Sequence, residues 1–170
     1  KSVWSPTDWL KVNSGLRYSH FWTEDRIDPE QKVGIALGGL GSRFSEGGFS
    51  PSVGVTLDPL EGIQLYTTYS STMRAPSIME TVAAFSTPAN LDVRPERSNN
   101  WELGVNLTGE DVVTFSDRAM VKLGYFNWDV KDYIGREADG GASILKISNF
   151  DRARFSGLEF SSRYENDGFT

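Results

Sequence analysis

The sequence predicts an all-β protein of antiparallel strands, in a pattern typical of a transmembrane β-barrel. Apolar and polar residues alternate with a period of two in successive segments, as expected for strands with one apolar face. The connections alternate between short turns and long loops, and the segments are long enough to cross a bilayer. The chain has no cysteine and no run of 18 apolar residues, which excludes a disulfide framework and a membrane-spanning helix.

Six segments carry the alternation. The first, Leu10 to Trp22, is about 40 Å long at roughly 3.3 Å per residue, and a tilt of about 45° reduces its height to roughly 28 Å. In this segment the apolar face consists of even-numbered residues. The apolar faces of the other five are Val53, Val55 and Leu57; Ile63, Leu65, Thr67 and Tyr69; Trp101, Leu103, Val105 and Leu107; Val121, Leu123 and Tyr125; and Leu158, Phe160 and Tyr164.

The connections differ in length, which suggests short turns at one end of the sheet and long loops at the other. The sequence predicts a short turn at "DPLEG", an intermediate one from Gly109 to Arg118, and long loops at residues 23–46 and 74–97. In the last segment the alternation changes phase between Phe155 and Leu158, which predicts a β-bulge at Ser156-Gly157. Short turns on one rim and long loops on the other describe an outer-membrane barrel.

Alternation by itself leaves two architectures open. The polar face carries Glu102, Lys122, Glu159 and Arg163. In a soluble β-sandwich this face points to water and the apolar face packs in a core, whereas in a barrel the apolar face meets lipid and the charges line the lumen. A complete eight-stranded barrel of the adhesin type, with a structural role, is a further alternative.

Composition excludes several functions. The net charge of −6 argues against binding to nucleic acid, because the phosphate backbone attracts a basic surface. The only histidine, His20, falls on the apolar phase of its segment, and no spaced pair of carboxylates coincides with a histidine or with a nucleophilic serine elbow. We therefore expect neither an enzyme nor a protein metal site.

The middle of the chain resembles the TonB-dependent outer-membrane receptors. "PSVGVTLDPLEGIQLYTTYSSTMRAPSIMET", followed by "NLDVRPERSNNWELGVNL", is similar to that family's strand, short turn, strand ending near F-R-A-P-S-x-x-E, long loop, and N-x-x-L-x-P-E-x-S-x-x-W-E-x-G. "KLGYFNWDVKDYI" and "ISNFDRARFSGLEFSSRYE" resemble the next strands. The resemblance implies about six strands of a 22-stranded barrel, so that residues 1–170 are part of the barrel domain and the plug lies outside this chain.

The pairing of "RAP" with "NL" around one loop is most similar to the haem-receptor branch. Arg74-Ala75-Pro76 and Asn90-Leu91 stand where that branch has F-R-A-P and N-P-N-L. Met73 replaces the aromatic residue, and no histidine lies between Arg74 and Asn90. The resemblance thus implies an outer-membrane receptor for haem or a ferric siderophore, carried as transported ligand and not as cofactor. It also implies outer-membrane lipid and the TonB complex as partners, the latter through the plug.

Three residues of the extracellular loop are the predicted ligand contacts: Arg74, Met79 and Asn90. Each has a plainer interpretation or rests on the family match alone. Arg74 is placed to brace the strand end with Glu80 or Glu96, and Met79 is suited to filling a gap in the loop.

Overall fold

The computed structural model describes residues 2–24, 43–77, 80, 92–138 and 145–166. They form one antiparallel sheet of seven strands, in which each strand pairs with its neighbours in sequence. None of these residues belongs to a helix long and apolar enough to cross a membrane. The strands are β1 (Ser2–Thr7), β2 (Leu10–Glu24), β3 (Arg43–Leu60), β4 (Ile63–Arg74), β5 (Glu96–Glu110), β6 (Arg118–Ala138) and β7 (Leu145–Glu165).

The all-β prediction is confirmed, but the described residues form seven strands instead of six. The strand missing from the prediction is β1, which has six residues, contains Pro6 and is exposed along its whole length. Proline is tolerated on an edge strand such as this one. β3 also begins earlier than predicted, at Arg43, because residues from Arg43 onward continue the pairing with the end of β2 at Glu24.

The register places the predicted apolar faces side by side. Leu10 pairs with Leu57, Leu57 with Leu65, and Leu65 with Val105. Val105 pairs with Leu123, and Leu123 with Phe160. One continuous apolar face therefore runs from β2 to β7, as the alternation predicts.

This apolar face is exposed. Trp22 keeps 75% of its surface, Leu158 84% and Phe160 68%. The buried apolar side chains among the described residues are few, and Val93, Ile134 and Ile147 form their cluster. Because this part of the chain packs no second layer against the sheet, a sandwich core is not formed by it.

The opposite face is polar, and its side chains bond to one another across four strands. Lys11 Nζ lies 3.0 Å from Asp58 Oδ2, and Gln64 donates to Asp58 Oδ1 at 2.8 Å. Asn106 Nδ2 donates in turn to Gln64 Oε1 at 2.9 Å. Glycine makes room here for one aromatic ring, since a Cβ at Gly104 would stand 2.6 Å from the Tyr66 hydroxyl.

The bulge predicted at Ser156-Gly157 is wrong. The register of β6 and β7 continues through Asn127–Ser156 and Phe126–Gly157 without a shift. The glycine instead accommodates an aromatic ring, because a Cβ at Gly157 would lie 2.9 Å from two carbons of Phe126. The change of phase arises because Phe155 is simply an aromatic residue on the polar face.

The two rims differ as the connection lengths predict. Glu61 and Gly62 alone connect β3 to β4, and residues 111–117 connect β5 to β6. Gly62 has φ +76°, a left-handed conformation that favours glycine in a tight turn. We call the end of the sheet with these two turns the turn rim and the opposite end, where β4 stops at Arg74, the loop rim.

Candidate functional site at the loop rim

The loop rim is organised around the arginine that ends β4. Arg74 pairs with Glu96 at the start of β5, and its Nε donates to Glu96 Oε2 at 2.7 Å. Its terminal nitrogens donate to Glu80, at 2.9 Å to Oε2 and 3.2 Å to Oε1. One guanidinium therefore bridges the strand that precedes the long connection, the strand that follows it, and a residue of the connection itself. We call Arg74, Glu80 and Glu96 the brace.

Glu80 also closes a turn with the residue three positions earlier. The Ser77 backbone N–H donates to Glu80 Oε2 at 2.7 Å, and the Glu80 N–H donates to the Ser77 carbonyl at 3.0 Å. A glutamate that reaches back to the N–H of a serine three residues earlier is half of a capping box, and Glu80 is helical. Burial opposes ionisation of Glu80, but its bonds from Arg74 and Ser77 prevail and hold its pKa below the ordinary value.

Glu96 extends the brace to a third strand. Its second oxygen, Oε1, accepts a hydrogen bond from the Ile134 backbone N–H of β6 at 2.7 Å. The residue is 8% exposed, so both oxygens of a buried carboxylate are used. Buried carboxylates satisfied in this way fix geometry, because removing them leaves the donors without partners.

Asn149 ties β7 to the segment that enters β5. Its side-chain oxygen accepts from the Arg94 N–H at 2.8 Å, and its Nδ2 donates to the Arg94 carbonyl at 2.9 Å. The same amide donates to the Asp132 carbonyl at 2.7 Å, and Arg94 forms an ion pair with the Asp132 carboxylate at 2.6 Å. The loop rim from β4 to β7 is thus one bonded unit.

An open groove lies beside this unit, with a volume of about 290 Å³. Its lining includes the charged residues Glu80 and Arg136 and the almost fully buried Ile134 and Ile147.

Of the three predicted ligand contacts, only Arg74 is among the described residues. Arg74 is in the brace described above, with both of the carboxylates that the sequence offered as partners; its contact with a ligand stays a prediction. Met79 and Asn90 lie outside the described residues. The capping role of Ser77 and Glu80 was not predicted, although "SIME" carries the S-x-x-E signal.

His20 lies on the apolar face, as its phase predicts. Its Nε2 is 3.3 Å from Ser45 Oγ, and its ring stacks on Trp22 with the centroids 6.1 Å apart. Among the described residues, no group of three His, Cys, Asp or Glu side chains is placed to hold a metal ion.

Comparison with known proteins identifies the architecture. The family model described as TonB dependent receptor-like, beta-barrel matches residues 2–170. The chain belongs to the TonB-dependent receptor family. The seven strands are accordingly part of an antiparallel barrel in the outer membrane, with the apolar face toward lipid and the polar face toward the lumen.

Relatives of this TonB-dependent receptor chain include haem receptors. It is 28% identical over 128 residues to the hemophilin receptor of Acinetobacter baumannii, a match that covers 75% of this chain and 12% of the relative. It is 24% identical over 177 residues to the hemin receptor of Yersinia pestis, covering 88% of this chain and 26% of the relative. The chain therefore spans about a quarter or less of these relatives, and it resembles the haem-receptor branch of the family.

Solved structures agree with the fold. The Serratia marcescens hemophore receptor HasR, solved with its hemophore HasA and heme, superposes with a TM-score of 0.69 at 28% identity, over 93% of this chain and 30% of HasR. The copper transporter OprC superposes with a TM-score of 0.78 at 17% identity, over 94% of this chain and 24% of OprC. The second match concerns the fold alone.

Proposed function

We propose that this chain is barrel wall and substrate-side loop scaffold of a receptor that imports haem across the outer membrane. The observation that carries the proposal is the similarity to haem and hemophore receptors over most of the chain, at 28% identity to both the hemophilin receptor and HasR. Import is transport, with no chemistry on the haem, so the protein is not an enzyme. Energy reaches the barrel from the TonB complex through a plug outside this chain.

The loop rim contributes to this function by fixing the ends of the long connection. Arg74 anchors both ends of the long connection, through Glu80 on one side and Glu96 on the other. A loop with fixed ends loses less conformational freedom when it closes on a ligand. Arg74, Met79 and Asn90 are the proposed contacts, with Arg74 acting on a haem propionate and Met79 as an axial sulfur ligand.

The test is a haem titration of the full-length receptor in detergent, followed by the Soret band. We expect a shifted band that saturates at stoichiometric haem and persists with excess ferric siderophore. The Met79→Ala variant, in which the proposed sulfur ligand is absent, should change the position of the bound Soret band. Met120→Ala in β6, at the turn rim, is the matched control and should leave the band unchanged.

Absence of a Soret shift would contradict haem import. A shift with an identical band in Met79→Ala would retain haem import and remove Met79 from the site. The titration therefore separates the ligand from the residue assignment.

A ferric siderophore is the second candidate ligand, on one specific observation. The loop between Arg74 and Asn90 has no histidine, whereas the haem branch places a ligating histidine there. Quenching of tryptophan fluorescence by a ferric siderophore, in a receptor without a Soret shift, would support this alternative.

A further inference from the structure

Four charged side chains stand together on the lipid-facing side of β6 and β7. Lys131 pairs with Arg152 across the two strands, and Asp129 pairs with Arg154. All four share the face that carries Leu123 and Phe160, because they are an even number of register positions away from them. We call these four residues the basic cluster.

The basic cluster has an excess of positive charge. Arg152 Nε donates to Asp129 Oδ1 at 2.6 Å, so one cation is neutralised and held in place. Lys131 and Arg154 are close enough to act electrostatically on the same carboxylate, yet neither side chain makes a hydrogen bond or ion pair with any residue that the structure describes. Both are exposed. This local excess contrasts with the chain as a whole, whose net charge is −6.

The position of the basic cluster relative to the membrane follows from the register. One pair nearer the turn rim, Asn127 faces Ser156, and the next pair is Tyr125 and Leu158. Trp101 of β5 pairs with Asn127, and the Trp101 ring packs on Tyr69 with the centroids 4.9 Å apart. Aromatic side chains in this arrangement form the girdle at the membrane boundary.

The charged pairs therefore begin at headgroup level. Each successive pair on one face adds about 7 Å along the strand, or about 5 Å of height at a tilt of roughly 45°. The first charged pair is one such step beyond the girdle, toward the loop rim. In outer-membrane barrels the long loops are extracellular, so this level belongs to the outer leaflet.

We propose that the basic cluster binds the phosphate groups of an anionic lipid of the outer leaflet, the lipid A part of lipopolysaccharide. Charge complementarity identifies the ligand, because Arg and Lys are the side chains that bind phosphate oxygens at membrane surfaces. Arg152, oriented by Asp129, positions the site. Lys131 and Arg154 contact the phosphates. Acyl chains then lie on Tyr125, Leu158 and Phe160 below.

The experiment titrates the full-length receptor in detergent with bis-phosphorylated lipid A and counts bound lipid by native mass spectrometry. We expect the Lys131→Gln/Arg154→Gln double variant to bind about 30-fold more weakly than the unmodified protein, a loss of roughly fivefold for each cation. The matched control is Lys122→Gln/Arg163→Gln, which removes the same charges from the lumen face of the same two strands. It should bind lipid A as the unmodified receptor does.

A second arm uses lipid A from which both phosphates have been removed. We expect the unmodified receptor to bind this lipid as weakly as the Lys131→Gln/Arg154→Gln variant binds the phosphorylated one. Equal binding of the two lipids, or equal losses in the two double variants, would overturn the proposal. None of these outcomes depends on haem.

Discussion

Each rim of the sheet is stabilised by one buried carboxylate. The two carboxylates differ in the sequence separation of the groups to which they bond. Glu96 at the loop rim bonds to Arg74 of β4 and to the Ile134 N–H of β6, 22 and 38 residues away. Asp117 at the turn rim accepts from the N–H groups of Val112, Val113 and Thr114, at most five residues away. One carboxylate joins three strands, whereas the other closes a single turn.

Asp117 also accepts one hydrogen bond from a residue that is distant in sequence. The Tyr164 hydroxyl of β7 donates to Asp117 Oδ2 at 2.9 Å, from a ring on the lipid-facing side. Most of the bonds in this turn are local, so they do not depend on the register of distant strands. The loop rim forms only when β4, β5 and β6 are in register, so its bonds report on the assembled barrel.

The largest effect on stability is expected from a substitution in the middle of the sheet, where neither Glu96 nor Asp117 makes a bond. Leu103→Arg places a charge on the lipid-facing side of β5, and we expect it to lower the free energy of unfolding from a bilayer by about 2–4 kcal/mol. The measurement is equilibrium unfolding of the full-length receptor in lipid vesicles. The control is Thr68→Arg, which introduces the same charge on the lumen face opposite Glu102. If Leu103→Arg were no worse than Thr68→Arg, the assignment of the two faces would be wrong.

Glu96→Gln tests the long-range brace. The amide oxygen can still accept one bond, but the charged partner of Arg74 is lost and one buried donor loses its acceptor, so we expect a loss of about 2 kcal/mol. Unfolding of the full-length receptor measures it. Glu102→Gln in the same strand removes the same charge from the lumen face and should cost less than about 0.5 kcal/mol. Equal losses in both variants would mean that Glu96 acts only through its charge.

Asp117→Asn tests the local turn through its pH dependence. Burial opposes ionisation, but hydrogen bonds from Thr114, Tyr164 and the neighbouring backbone lower the pKa of Asp117 to about 2. Because this lies below the ordinary 3.8, the carboxylate stabilises the folded state fully above about pH 4, and this contribution disappears as the pH falls toward 2.

The stability difference between the full-length receptor and Asp117→Asn should follow the same course. Thermal unfolding between pH 2.5 and pH 7 measures it, with Glu110→Gln at the edge of the same turn as control. A difference that is independent of pH would show that the Asp117 charge plays no part in closing the turn.

The same difference, between local bonds and bonds that join residues distant in sequence, explains which features the sequence could predict. The apolar faces followed from a period of two, and the Arg74 brace followed from a strand end with nearby glutamates. The bond from Ile134 to Glu96 was beyond prediction, since it depends on the register of two strands whose bonded residues are 38 apart. The bulge at Gly157 was predicted wrongly because a glycine that accommodates a ring and one that bulges look alike in sequence. Asp117 was missed although the polar residues around it favour a turn.

Glu80→Gln is expected to have the smallest effect and is the sharpest test of the brace. Arg74 keeps its bond to Glu96, and its side chain is 46% exposed, so solvent screens the lost ion pair. We expect a loss of about 0.5–1 kcal/mol in the unfolding of the full-length receptor, together with faster hydrogen exchange at the Ser77 amide, whose acceptor is weakened. Exchange at the Ile134 amide should not change, because its bond is to Glu96. A loss of stability as large as that of Glu96→Gln, or faster exchange at the Ile134 amide, would mean that Glu80 and not Glu96 stabilises the loop rim. The difference between the two rims would then arise from a residue of the connection and not from a residue of β5.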